Sequence, residues 1–272
     1  MKLAFTTTLG VLLLLAGTWT VWNSTLGTAS CAYTPTPETT QTAPVERVRR
    51  PVLVELFTSE GCSSCPPADR QLAFMQEHQT SFGAKVITLA YHVDYWDRLG
   101  WKDRFSSAEF SERQNAYISA KGLESSYTPQ MIVDGGEQFV GSNGRKADQA
   151  VADAAKNVKG VVGLSLGDGN LNVTIGDLPE HQSASIMLAV AEDRLETDVR
   201  AGENNGNKLS HTGVVRSLTT INKIEASDQK LERSIAVPAD AGWNSKNVRY
   251  VVFVQEEKSK KIIAVDSTAA VN

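Results

Sequence analysis

Apolar residues run almost unbroken through PVLVELFTS, Pro51–Ser59, and a run of that length and branching predicts a strand covered on both faces. From Pro66 to about Thr80 the spacing changes. Ala68, Leu72, Ala73 and Met75 recur at near-helical intervals with Asp69, Gln71 and Gln76 between them, which predicts an amphipathic helix. KVITLAYHVDYW, Lys85–Trp96, returns to strand texture. Strand, helix and strand in that order call for a right-handed parallel crossover.

A second helical pattern covers Ser106–Lys121, with Phe110, Gln114, Tyr117 and Ile118 available for one face. YTPQMIVDG then opens a strand directly after a proline, Asp134-Gly135-Gly136 signals a turn, EQFVG a short returning strand, and Asn143–Asn157 a third helix. Beyond Val158 the texture becomes short β-rich runs broken by turns: VVGLSL, LNVTI, ASIMLAVAE, GVVRSLTTI, LERSIAV, VRYVVFVQE and KIIAVDS. The expected architecture is an α/β domain over residues 51–158 followed by an all-β, sandwich-like domain over 159–272. The charge run EEKSKK, Glu256–Lys261, reads as a solvated hairpin turn between two of these strands.

The N-terminus carries Lys2 and then an uncharged stretch, Leu3–Trp22, centred on LGVLLLLAG. Residues 1–30 therefore read as a signal peptide, cleaved near Ala29–Ala32, or as an uncleaved membrane anchor. A third reading lipidates Cys31, although Thr28 stands where a lipobox prefers Leu. Residues 31–50, PTPETTQTAP followed by VERVRR, form a Thr/Pro-rich linker. All these readings export the rest of the chain to a periplasmic or extracellular setting, with membrane attachment through the N-terminus as the alternative to release.

The 272 residues are 41% hydrophobic and carry a net charge of −4, which excludes fibrous classes and gives no field for nucleic acid. Three cysteines, Cys31, Cys62 and Cys65, are too few for a disulfide scaffold. Cys62-Ser63-Ser64-Cys65 falls where the first strand passes into the first helix, and the unpaired N–H groups of a helix start stabilise a thiolate there. Cys62, nearer the start, is the expected attacking thiol and Cys65 the resolving one. Glu60 opposes a thiolate if its charge lies close. A four-cysteine zinc site lacks its second pair, so redox exchange, a permanently closed disulfide and thiolate metal binding remain open.

His92, Asp94, Tyr95, Trp96 and Asp97 cluster at the C-terminal end of the second strand, the edge where open α/β sheets place ligands. Strict alternation puts His92 and Asp94 on one face, suited to proton transfer beside the thiols or to metal ligation with Asp94 or Asp97. A structural histidine is the alternative. Trp96 and Trp101 read either as a lid or as packing anchors.

With Thr128-Pro129 entering a strand that ends in Asp134-Gly135, the strand–CxxC–helix order resembles the thioredoxin superfamily. The resemblance implies that Pro129 is cis and faces the cysteines, with Thr128 beside Cys62. More specifically, ELFTSEGCSSCPPAD, AYHVDYWDRLGWKD, YTPQMIVDG and GENNGNKLSHTGVVR resemble the DUF1223 family of exported bacterial proteins. This implies a thioredoxin-like domain with a helical insertion from about Trp96 to Tyr127, a β-rich companion, and packing of the Glu203–His211 stretch toward the cleft. Ser63-Ser64 without an intervening proline and the doubled Pro66-Pro67 depart from ordinary thioredoxins. The expected function is an exported thiol–disulfide oxidoreductase using Cys62, Cys65, Thr128, Pro129 and His92. No cofactor is expected, and the partner is a protein or small-molecule thiol or disulfide. A thiolate-based metal-binding protein and a cell-envelope interaction module with a structural disulfide are the rivals, and oligomeric state is open.

Overall fold

Strand β1, Arg50–Thr58, runs parallel to β2, Ala84–His92, in unbroken register from Arg50 opposite Ala84 to Thr58 opposite His92. The computed structural model describes residues 50–78 and 84–268. The export segment, Cys31 and all of the linker except Arg50 lie outside the described residues, as does Thr80. Helix α1, Pro66–Glu77, connects the two strands and ends three residues before Thr80. Its start is set by the prolines at its first two positions, where an amide would have no helical acceptor.

A 3-10 turn, Asp94–Leu99, follows β2 directly and ends at Gly100. Helix α2, Ala108–Lys121, is capped by the Ser107 hydroxyl, which accepts from the Glu109 N–H. Strands β3, Gln130–Val133, and β4, Glu137–Val140, extend the sheet antiparallel beyond β1, and α3, Gly144–Ala154, returns across it. This is a thioredoxin-like α/β region with a helical insertion between β2 and β3.

The β-rich region supplies β5, Val161–Gly167; β6, Asn170–Gly176; β7, Ala184–Glu192; β8, Leu195–Asp198; and β9, Lys208–His211. It continues with β10, Val214–Ile224; β11, Leu231–Ala236; β12, Val248–Glu256; and β13, Ile262–Ser267. The composition changes at Val158, but the sheet does not stop there. Its eight strands run β13-β12-β7-β10-β2-β1-β3-β4, with β10 joining β2 in parallel through Val214 opposite Ala90. The seam requires Gly213, which has φ +66°. A Cβ there would stand 2.9 Å from the Thr88 carbonyl oxygen. Buried Arg249 locks the same seam, reaching the Thr88 carbonyl and the Asp193 carboxylate, which in turn accepts from the Gly213 N–H at 2.7 Å.

Both sheet faces are covered, which explains the continuous apolar runs. Val52, Val54 and Leu56 of β1 pack under α1 and α3 with Leu72, Met75 and Val151. Leu53 and Phe57 point the other way, toward Phe110 and Tyr117 of α2, in a layer that continues to Val251 and Phe253 of β12. The three-stranded sheet β11-β6-β5 supplies the sandwich-like part, placing Leu171, Val173 and Ile175 against Ile186, Leu188 and Val252. The Glu256–Lys261 run turns between β12 and β13. Among the described residues no helix is long and apolar enough to cross a membrane.

Candidate functional site

The chain leaves β1 at Thr58 and curls into α1 through three short turns: the Cys62 N–H donates to the Ser59 carbonyl at 3.2 Å, the Cys65 N–H to Cys62 at 3.1 Å, and the Ala68 N–H to Cys65 at 2.8 Å. That path brings the Cα atoms of Cys62 and Cys65 to 5.4 Å, and the two sulfurs are bonded as a disulfide. The Ser64 hydroxyl lies 3.3 Å from the Cys62 sulfur. The Thr128–Pro129 peptide is cis.

Both cysteines are fully buried. Cover over the loop comes from far along the chain. Asn204 donates both to the Glu60 carbonyl, at 2.8 Å, and to the Cys62 carbonyl, at 3.0 Å. Glu203 accepts from the Ser63 N–H at 3.0 Å, an otherwise open donor of the loop. The segment that carries them is closed on itself, with Val199 and Asn207, and Gly206 and Val199, joined backbone to backbone at 2.9 Å. On the other side the Trp96 indole donates to the Thr128 hydroxyl at 2.8 Å, while its Cβ packs so near Gly61 that an added methyl would sit 3.3 Å away.

His92 does not pair with Asp94. The strand ends at His92, so alternation stops there, and the 3-10 turn carries Asp94 away to the Ser111 hydroxyl. Asp103 takes the place instead, 2.6 Å from His92 Nδ1. The same carboxylate accepts from the Glu60 N–H at 2.9 Å and the Phe105 N–H at 2.9 Å. Asp97 supports it from behind, accepting from the Asp103 N–H at 3.2 Å.

Glu60 turns its carboxylate inward rather than toward Cys62. One oxygen accepts from the Trp101 indole at 2.8 Å and the other stands 3.3 Å from His211 Nε2. The His92 and His211 rings meet edge to face with centroids 5.0 Å apart, and Phe105 closes against both. Burial pulls the His92 imidazole toward neutrality, but the Asp103 carboxylate outweighs it and holds the pKa above the ordinary histidine value. Burial likewise pushes Asp103 and Glu60 up. Asp103 is nevertheless held low by His92 and the two backbone donors, and Glu60 by its bonds to His211 and Trp101. Asp69, one helical turn past Cys65, is raised by burial despite the nearby imidazoles.

Asp103 beside His92 is a residue that reading the pattern missed, whereas Asn204 over the Cys62 carbonyl and His211 against His92 and Glu60 lie in the Glu203–His211 stretch that the family resemblance turns toward the cleft. Asn204 and His211 stand in the GENNGNKLSHTGVVR segment and Asp103 in GWKDR, but neither has a periodicity that announces a role. Among the described residues no three His, Cys, Asp or Glu side chains converge as metal ligands, and His92 Nδ1 is already committed to Asp103. A disulfide-bonded CxxC pair at the helix start of a thioredoxin-like fold supports a redox-related role.

Comparison with curated proteins finds no match. Among solved structures, protein AGR_C_4864 from Agrobacterium tumefaciens is 28% identical, aligns over 81% of this chain and 95% of its own, and superposes with a TM-score of 0.65. HBP35 of Porphyromonas gingivalis, 16% identical over 81% of this chain and 75% of its own with a TM-score of 0.56, shares the fold. Residues 53–255 match the family model described as Protein of unknown function (DUF1223), and the chain belongs to that family.

Proposed function

We propose that the protein is an exported thiol–disulfide oxidoreductase in which Cys62 forms the mixed disulfide with a partner thiol or disulfide and Cys65 resolves it. The observation that carries this reading is the bonded Cys62–Cys65 pair at the start of α1 in a fold that also has a cis Thr128–Pro129 bond. The partner is a protein or small-molecule thiol or disulfide, and no cofactor is needed because the electrons pass between sulfurs. The exported setting, periplasmic or extracellular, rests on the apolar segment Leu3–Trp22. In a Cys65→Ser variant incubated with envelope extracts, a Cys62-dependent mixed disulfide should accumulate. Absence of any trap, together with no turnover in a dithiol exchange assay, overturns the reading.

A second reading, a closed bridge in an interaction module, is favoured by one observation: neither cysteine has accessible surface. The potential of the pair, measured by glutathione titration, separates the two. Exchange requires a moderate value, whereas a structural bridge resists reduction by glutathione.

A further inference from the structure

Polar atoms buried without a partner are rare in folded proteins, because each forfeits its hydrogen bonds to water without replacement. Two of them gather in one place, His92 Nε2 and His211 Nδ1, beside the contact of 3.3 Å between His211 Nε2 and Glu60 Oε1. A purely structural ion pair would not need them, since the His92–Asp103 contact is complete without Glu60 or His211. Buried imidazoles that meet edge to face with a free nitrogen on each ring are suited to gaining, losing and passing a proton.

These side chains border the cysteine loop. Glu60 belongs to that loop, two residues before Cys62, and Asn204 bridges the carbonyls of both. Asp69 enters from α1: its N–H donates to the Cys65 carbonyl at 3.1 Å, and its carboxylate accepts from the Thr58 hydroxyl at 2.9 Å. Thr58 stands directly opposite His92 in the β1–β2 ladder. His211 comes from β9, which packs against α1. Asp103 enters from the loop after the 3-10 turn, and Arg104 and Arg216 lie over the outer face of Phe105, 4.5 Å and 5.2 Å from its centroid.

We infer that His92 and His211, bracketed by Asp103 and Glu60, are the proton store of the Cys62–Cys65 pair, supplying the proton that neutralises Cys65 when the disulfide opens. This rests on the exchange reading above. With a dithiol as reductant, its thiolate attacks the Cys62 sulfur, the S–S bond breaks, and the electron pair leaves on Cys65 as a buried thiolate. That thiolate takes up a proton drawn from the store. The second thiolate of the reductant then displaces Cys62, which takes up a proton in turn, and the reductant departs as a disulfide. Two electrons and two protons have passed from dithiol to protein, the store being refilled by protons the reductant released. Oxidation runs the same steps backwards. His92 and His211 make no hydrogen bond to either sulfur, so the proton reaches Cys65 through the cluster and not by direct contact.

The test follows the ring resonances of His92 and His211 against pH by NMR in the disulfide protein, in the dithiol protein, and in Cys62→Ser, where Cys65 is a free thiol without added reductant. A thiolate beside the cluster should move the imidazole midpoints upward by about one pH unit relative to the disulfide form. In Cys62→Ser, adding His211→Asn should weaken Cys65 acidity about tenfold, with His92→Gln as the second variant if the first does not fold. Superimposable titrations in all forms overturn the inference, and this wild-type comparison needs no histidine variant. Failure of the exchange reading is seen separately: displaced midpoints without mixed-disulfide trapping leave the proton linkage standing and remove the oxidoreductase, whereas trapping with unmoved midpoints does the reverse.

Discussion

Trp96 and Thr128 are joined side chain to side chain, indole N–H to hydroxyl at 2.8 Å, across the gap between the cysteine loop and the cis-proline loop. Trp96→Ala removes both the hydrogen bond and the packing on Gly61, so the disulfide should be reduced by a small dithiol about tenfold faster than in the wild type, the equivalent of one lost hydrogen bond of about 1.4 kcal/mol. Rates measured by thiol-quench and mass shift give the answer. An unchanged rate would mean that Trp96 does not guard the sulfurs.

Asn204 closes the opposite side, where its amide satisfies two buried carbonyls at once. Asn204→Ala leaves the buried Glu60 carbonyl without that donor and the Cys62 carbonyl with only the Cys65 N–H, and is expected to cost about 1–3 kcal/mol. Urea unfolding of the variant should show that loss with an unchanged slope. A variant as stable as the wild type would show that water replaces the amide without penalty.

The His92–Asp103 pair makes stability depend on pH in a definite direction. His92 is held above its ordinary value, so its contribution is complete below about pH 6.5 and is lost as pH rises through the elevated folded value. Asp103 is held below its ordinary value, so its contribution is complete above about pH 4 and is lost as pH falls through the depressed folded value. Asp69, raised by burial, has the opposite sign to Asp103, which makes the difference between proteins more informative than the absolute profile. Between pH 6 and 9 the wild-type Tm should approach that of His92→Asn as the imidazole loses its proton. Parallel profiles across this range would rule out a charged His92 in the folded state.

A second buried ion pair lies away from the cysteines. Arg113 on α2 donates to Glu55 at 2.8 Å, and the guanidinium also reaches Gln255 and Tyr117 at 3.1 Å. Burial opposes the Arg113 charge, but Glu55 more than compensates. Arg113→Met strands the Glu55 carboxylate and is expected to destabilise by about 3–5 kcal/mol, whereas Arg113→Met combined with Glu55→Leu should recover much of that loss. A double-mutant cycle by denaturant unfolding measures the coupling, and strictly additive losses would count against it.

The strands were legible where burial on both faces left an unbroken apolar signature, as in β1, β2 and β12. The ribbon β8–β9 was not, because LETD and KLSH are short, charged and half exposed. Nor was the continuation of the first sheet into the β-rich region. It depends on a single parallel register pair, Val214 opposite Ala90, and on the close approach at Gly213, neither of which has a periodicity. The cysteine pair could be found because its chemistry is local, a four-residue spacing at a strand–helix junction. Of its surroundings, the approach of the Glu203–His211 stretch came only with the family resemblance and Asp103 not at all, since these residues reach the pocket through the tertiary path of the chain, and His92 exchanged its expected neighbour when β2 ended one residue after Tyr91.

The distance along the chain between Cys62 and Asn204, 142 residues, gives the site a history as well as a shape. A polypeptide that emerges from its N-terminus carries both thiols long before the segment that covers them exists, so the cover belongs to the completed fold and not to the cysteine loop itself.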